Sequence, residues 1–291
     1  MCQMCMKHGA NGRWYFNAKN YLKETAEEVN SYEYLEEFWG NLERSYLRKV
    51  NGILNVKWMS KQVNTPLLGR FLKWYAERGF TKDGRTQRLN VKAAQGHFGQ
   101  VLTLEDAKTV VLEKAEIVAR ALCPCRFFNK GRKEYTCLGF SPLVEVLPKL
   151  PRYLPENHVE ILDQEQAVAH LESMSDKGYV NTIWCGPVPS IAAICSCEVP
   201  ACGALRLRTD FDINACWKGH QLAVVDIDKC TGCRKCESVC QFGALSFSEQ
   251  GNQAQIDLEL CYGCGNCARA CEEDAINLID RDELEITRGL Y

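Results

Sequence analysis

One cysteine pattern occurs twice near the C-terminus, and it constrains this chain more than any other feature. Cys230-x2-Cys233-x2-Cys236-x3-Cys240 is followed by Cys261-x2-Cys264-x2-Cys267-x3-Cys271, each cysteine 31 residues after its counterpart. The flanks repeat as well: Val225-Asp226-Ile227-Asp228 returns as Ile256-Asp257-Leu258-Glu259, and Ala244-Leu245 as Ala275-Ile276. Three thiolates separated by two residues each can wrap one face of an iron–sulfur cube from a single tight loop. Gly232, Gly263 and Gly265 suit loops whose backbone approaches sulfur closely and adopts positive φ. CxxC pairs also bind zinc, but two identical four-cysteine runs favour clusters.

The double pattern resembles the bacterial ferredoxin that carries two [4Fe–4S] clusters. In that family the fourth cysteine of each run starts a helix that reaches the other cube. The resemblance therefore implies one cluster on Cys230, Cys233, Cys236 and Cys271, and a second on Cys261, Cys264, Cys267 and Cys240. The family's proline after the fourth cysteine is Gln241 in one copy and Glu272 in the other. It is not a ligand, so the assignment stands without it. Arg234 and Lys235 lie inside the first loop, whereas Glu272, Glu273 and Asp274 follow Cys271. The acidic triplet is expected to cap a helix N-terminus, leaving the two cations dominant near the first-loop cluster.

At 291 residues the chain has room for about two domains with genuine cores. The ferredoxin-like module needs about 60 residues, so most of the chain does something else. Sixteen of the 18 cysteines fall into groups at metal-ligand spacings, which argues for a reducing, cytoplasmic setting over disulfides. The N-terminus lacks an apolar signal region, and no apolar run approaches the roughly 18 residues a membrane span requires. The chain reads as soluble and unexported. Its net charge is −2, unevenly distributed. From Asp226 to Tyr291, 6 Lys/Arg face 13 Asp/Glu; from Lys57 to Lys92, 9 face 2. Two docking surfaces of opposite sign, or two ordinary solvated faces, both fit this imbalance.

The expected fold class is α+β in three parts. Residues 1–100 form a helical N-terminal region, 101–224 a Cys-rich middle domain, 225–280 the two-cluster domain, and 281–291 a charged, peripheral tail. Residues 17–50 read as helical from the spacing of Tyr21, Leu22, Val29, Leu35 and Trp39, and a second helix runs through Leu67, Phe71, Leu72 and Tyr75. Thr103-Leu-Glu-Asp106 is a capping-box start. The helix it opens carries Ala107, Val110, Val111, Ala115, Val118, Ala119 and Leu122, and delivers the chain to Cys123. Residues 163–178 read as a capped helix with Ala167, Ala169, Leu171 and Met174 inward. Strands are expected at Val180–Trp184 and Leu222–Ile227.

Six further cysteines form two knots, Cys123-Pro-Cys125-Arg126 with Cys137, and Cys195-Ser-Cys197 with Cys202. Thiolates this close repel one another unless a cation neutralises them. A third centre is expected here, a [4Fe–4S] cluster in preference to zinc, with six candidates for four positions. From about Thr103 to the first cluster loop, the chain is similar to the upstream region of multi-cluster ferredoxin-like proteins of anaerobic microbes. Cys123-Pro-Cys125-Arg126, Cys137-Leu-Gly-Phe140, the Gln164–Gly178 helix and Ile194-Cys-Ser-Cys197 carry that similarity, which implies additional metal binding. Cys2-x2-Cys5-x2-His8 is a further candidate, for zinc or another cluster. Cys185 and Cys216 read as core cysteines.

No catalytic constellation emerges: His8, His97, His158, His170 and His220 are scattered. The expected role is a multi-cluster electron-transfer protein, the wiring subunit of an anaerobic oxidoreductase, whose partner is a redox protein or catalytic subunit. Two rivals remain. One is an enzyme with its own substrate at the upstream centre. The other is a redox-sensing regulator that binds nucleic acid through Lys57–Lys92, where Trp58, Phe71, Trp74, Tyr75 and Phe80 interleave with cations. Core packing explains those aromatics more simply, so nucleic acid is not the expected partner.

Overall fold

Alternation with a period of two organises the centre of this molecule. The computed structural model describes residues 13–24, 33–34, 37, 62–81, 99–141, 143–149, 159–186, 190–211, 215–248 and 252–289. Among these, β1 (Gly99–Val101), β2 (Val118–Ala121), β3 (Cys137–Phe140), β4 (Val159–Leu162), β5 (Val180–Cys185), β6 (Ile191–Cys197) and β7 (Cys216–Trp217) form one sheet. Its order is β4-β2-β3-β6-β5-β1-β7. The pairs are antiparallel except for the parallel β1–β7 pair.

Successive strand residues face opposite sides, and here the two sides differ in kind. Leu138, Phe140, Ile183, Ile194 and Trp217 point into the main apolar core, which also holds Trp14, Tyr15, Tyr21, Val110 and Leu171. Phe140 meets Tyr21 edge-on with ring centroids 5.3 Å apart. The other side carries Cys137, Cys195 and Cys197 beside Thr182 and Trp184, as the strand register requires.

The helices confirm some expectations and correct others. The helix α1 (Leu68–Thr81) lies where the spacing put it. It buries Leu72, yet Phe71 and Trp74 are 55% and 49% exposed, so core packing does not account for them. α2 (Leu104–Thr109) is capped as expected, with the Asp106 N–H donating to Thr103 Oγ1. The Asp106 carboxylate does not close a capping box. It accepts instead from Tyr15 Oη at 2.8 Å and Arg13 at 2.9 Å. The helix continues as a π turn, Val110–Lys114, and stops at Ala115. Val118 and Ala119 lie on a strand, because β2 is bonded on both edges and two ladders outweigh local helix preference.

α3 (Pro124–Lys130) follows with proline in its first turn, then α4 (Leu143–Val146). α5 (Gln164–Asp176) has the full capping box of Asp163 and Gln166. It buries Ala167, Leu171 and Met174 together with His170, whereas Ala169 faces solvent. α6 (Gly203–Thr209) leads towards β7. Of the helix expected over 17–50, only 17–24, 33–34 and 37 are described, and the chain there opens with 3-10 turns at Trp14–Phe16 and Ala18–Tyr21. No helix among the described residues is long and apolar enough to cross a membrane.

The C-terminal module interleaves its two repeats. β8 (Gln221–Val225), α7 (Lys235–Val239) and β9 (Leu245–Phe247) belong to the first; β10 (Ala254–Ile256), α8 (Asn266–Arg269) and β11 (Ile276–Asp280) belong to the second. β8 pairs with β11 and β9 with β10, so each small sheet joins one strand from each repeat. The glycine contacts obey the same symmetry. A Cβ on Gly232 would strike the Asn252 carbonyl, and one on Gly263 the Gln221 carbonyl, positions offset by the repeat length. The tail is not peripheral where it begins. Arg281 is wholly buried and donates to the carbonyls of Gly219 (3.0 Å), Gln221 (3.3 Å) and Cys261 (2.9 Å), pinning the second cluster loop.

Candidate iron–sulfur sites

Sixteen described cysteines stand outside any disulfide, and the fold gathers fourteen of them into three groups. In the first, Cys236 feels the charges of Cys233, Cys271 and Cys230; burial is the main reason its thiol is raised. In the second, burial pushes the Cys264 thiol up to about 12, with Cys261 and Cys240 as charged neighbours. Cys267 is likewise raised by burial and then by Cys264, Cys261 and Cys240. Cys240 therefore sits with the second loop and Cys271 with the first, the crossed arrangement implied by the resemblance. Cys240, Cys261, Cys264 and Cys267 line a common cavity.

Local backbone makes these loops possible. Gly232, Gly263 and Gly265 all have positive φ, between 71° and 80°. Arg234, the counterpart of Gly265, adopts φ 63° despite its side chain. The amides of Ala254 and Ala275 donate to Cys230 Sγ (3.4 Å) and Cys271 Sγ (3.3 Å), bonds of the kind that tune cluster potential. The acidic triplet does not cap a helix. Glu272 and Glu273 lie on a turn that leads straight into β11. Lys235 pairs with Glu272 at 2.5 Å, and Arg234 stacks on Phe247 with its carbon 4.7 Å from the ring centre. The loop cations are thus partnered rather than dominant.

The third group joins the two upstream knots. Cys123, Cys125, Cys202, Cys197, Cys195 and Cys137 form a closed ring in which each thiol lies within hydrogen-bonding reach of the next. Bonds from Cys125 and Cys137 hold Cys123 well below the ordinary thiol range. Cys197 is drawn down to about 7, first by Cys195 and also by Cys202 and Thr182. The Thr182 hydroxyl lies 3.3 Å from Cys197 Sγ and accepts from Trp184 Nε1 at 2.8 Å.

An ion network holds the ring's two halves together. Arg126 is 1% exposed and donates to Glu134 at 2.6 Å, Glu198 at 3.3 Å and the Ser196 carbonyl at 3.2 Å. Its guanidinium also lies over the Tyr179 ring, and Arg132 bonds Glu198. The motif Cys123-Pro-Cys125-Arg126 is legible in the sequence, but the partners of Arg126 carry no signal there.

Gln241 stands where the ferredoxin pattern has proline, and the fold gives it a task. Its Oε1 accepts from the Val199 amide at 2.7 Å, and its Nε2 donates to the carbonyls of Gly178 and Cys197. Proline could make none of these bonds. The adjacent Phe242 stacks on Tyr262 with centroids 4.0 Å apart. Tyr262, Phe242 and Cys264 share one apolar cluster with Cys125, Cys195, Cys197 and Cys202. The second cluster loop and the ring are therefore neighbours across an apolar contact.

Cys216 is buried in that same cluster, its thiol raised by burial, as a core cysteine should be. Cys185 packs half-buried against the main core. Cys2, Cys5 and His8 lie outside the described residues. Among the described residues no three Cys, His, Asp or Glu side chains converge as a single metal ion would require.

Residues 229–275 match the 4Fe-4S dicluster domain family. The C-terminal module is thus a 4Fe–4S ferredoxin-type domain, and an iron–sulfur electron-transfer role follows for it. The comparison with curated proteins finds no similar chain. Crossed thiol sets, positive-φ glycines and a cysteine-lined cavity all fit such a group. When bound, it supplies one-electron chemistry; the chain supplies thiolates, amide–sulfur bonds and burial.

Proposed function

We propose that the protein is a multi-cluster electron carrier, the wiring subunit of an oxidoreductase in the cytoplasm of an anaerobic microbe. Its ferredoxin-type domain holds two [4Fe–4S] clusters of the bacterial kind. Cys230, Cys233, Cys236 and Cys271 ligate one, and Cys261, Cys264, Cys267 and Cys240 the other. A third [4Fe–4S] centre is held by four of the six ring cysteines. The partner is a redox protein or catalytic subunit that meets the first-loop cluster, where Cys233 is exposed. Cys2, Cys5 and His8 are candidate ligands for zinc or a further cluster.

One observation carries this reading: the ring and the second cluster loop share an apolar contact through Phe242, Tyr262 and Cys264. A carrier ending at its own ferredoxin-type domain would need no such neighbour. With clusters bound, the first-loop cysteines, where Cys233 is exposed, would supply the entry point for single electrons, and the second-loop cysteines, where Cys261 is buried, would supply the link to the ring. Gln241 fixes the last separation by gripping Val199 and Gly178. Iron and acid-labile sulfide analysis of anaerobically purified protein tests the reading. Three clusters require about twelve iron atoms per chain. About eight, with the two C-terminal clusters shown complete by spectroscopy, would sink the third centre.

A further inference from the structure

A [4Fe–4S] cluster takes four thiolates, and the ring presents six. We propose that Cys137 and Cys195 are the surplus pair, a dithiol–disulfide couple beside a cluster held by Cys123, Cys125, Cys197 and Cys202. The inference rests on the third-centre reading and adds a two-electron step to it.

Backbone register selects the pair. Cys137 and Cys195 face each other across β3 and β6. Their neighbours Thr136 and Ser196 make the ladder bond, Ser196 N–H to Thr136 carbonyl at 3.0 Å. Cys137 and Cys195 therefore occupy a non-hydrogen-bonded position, where facing Cα atoms stand about 4.5 Å apart. Disulfides span about 4.4–6.8 Å between Cα atoms. Cys195 and Cys197, two apart along one strand, are separated by about 6.6 Å, near the outer limit. The facing thiols are already in mutual reach, and both are half-buried, as is Cys125, whereas Cys123, Cys197 and Cys202 are buried. The other four run consecutively around the ring from two short segments, Cys123–Cys125 and Cys197–Cys202, the kind of local loop that wraps a cube.

The chemistry balances as follows. Two electrons, delivered singly through the clusters from a one-electron donor protein, and two solvent protons cleave the Cys137–Cys195 bond to two thiols. One of these, as thiolate, attacks an external disulfide and releases one thiol, leaving a mixed disulfide. The second displaces the remaining thiol and restores the Cys137–Cys195 bond. Single-electron wiring is thereby converted to two-electron reduction of a disulfide substrate.

The test uses the intact, cluster-loaded chain and oxidised glutathione as the disulfide probe. After anaerobic exposure, alkylation and peptide mapping, one Cys137–Cys195 disulfide is expected, with two thiols lost per chain and iron content unchanged. Dithionite should restore both thiols. The double variant Cys137→Ser/Cys195→Ser should keep its full iron and lose no thiol to the probe. No thiol loss in the parent, a disulfide through any of the other four, or iron lost from the double variant would overturn the couple. An eight-iron parent that still forms this disulfide fails the third-centre reading and leaves the couple standing.

Discussion

The two cysteine-rich regions of this protein are built on opposite logics. In the C-terminal module, three cysteines of each group lie within seven residues, and the fourth comes from the other repeat at a fixed offset. In the upstream ring, proximity depends on the sheet. Cys137 meets Cys195 because β3 pairs with β6, and Cys195 and Cys197 share a side because a strand alternates. The module is held by its own loops and glycines. The ring is held by an ion network on the buried Arg126, with Glu134 and Glu198 part-exposed, and so by the folding of the whole domain. A loop-built site keeps its ligands together locally; a sheet-built site can place extra thiols beside them.

That contrast can be broken at either end. The largest effect belongs to Cys240→Ala. It should cost the second-loop cluster, about four iron atoms, while the cluster on Cys230, Cys233 and Cys236 keeps its spectroscopic signal. Loss of the first-loop signal instead would show that ligation is not crossed. Next, Arg126→Ala removes the buried cation that joins Glu134 to Glu198, although Arg132 still pairs with both, and should cost about 1.5–3 kcal/mol. Chemical denaturation should show it, with the ring's cluster lost before the C-terminal pair. Equal loss of all three would mean that the ring is not separately supported.

Smaller effects sharpen the comparison. Burial lowers His170, packed beneath the sheet, from 6.5 to about 4. Its folded pKa lies below the unfolded one, so this contribution is intact above pH 6.5. As pH falls towards 4, the unfolded chain takes up a proton that the folded chain refuses. Stability should drop by about 2 kcal/mol between pH 7 and 5 from this group, and His170→Gln should flatten that part of the curve. An unchanged slope in the variant would contradict it. Smallest, Arg234→Gly should relieve a left-handed backbone and stabilise the module by up to about 1 kcal/mol. A less stable variant would mean that the contacts with Phe247 and Asn252 outweigh the strain.

What the sequence discloses follows the same division. The two cluster loops and their positive-φ glycines are local and periodic, so spacing reveals them; the crossed pairing is what the ferredoxin resemblance implies. The Asp163–Gln166 capping box is legible for the same reason. Val118 and Ala119 mislead, because their helical spacing is overruled by bonding to β3 and β4, which no local window contains. The six ring cysteines can be named from their CxC pairs, but not their closure into a ring. Gln241 reads as a lost proline until Val199 and Gly178 arrive beside it. Arg281 reads as tail charge until the carbonyls of Gly219 and Cys261 close around it.

The central claim is that the sheet-built ring holds a cluster of its own, wired to the loop-built pair. The most direct measurement is iron analysis and spectroscopy of Cys125→Ser/Cys202→Ser beside the parent, since these thiols touch across the ring and serve no C-terminal cluster. The account predicts a loss of about four iron atoms with both C-terminal signals intact. Unchanged iron content in the double variant would contradict it.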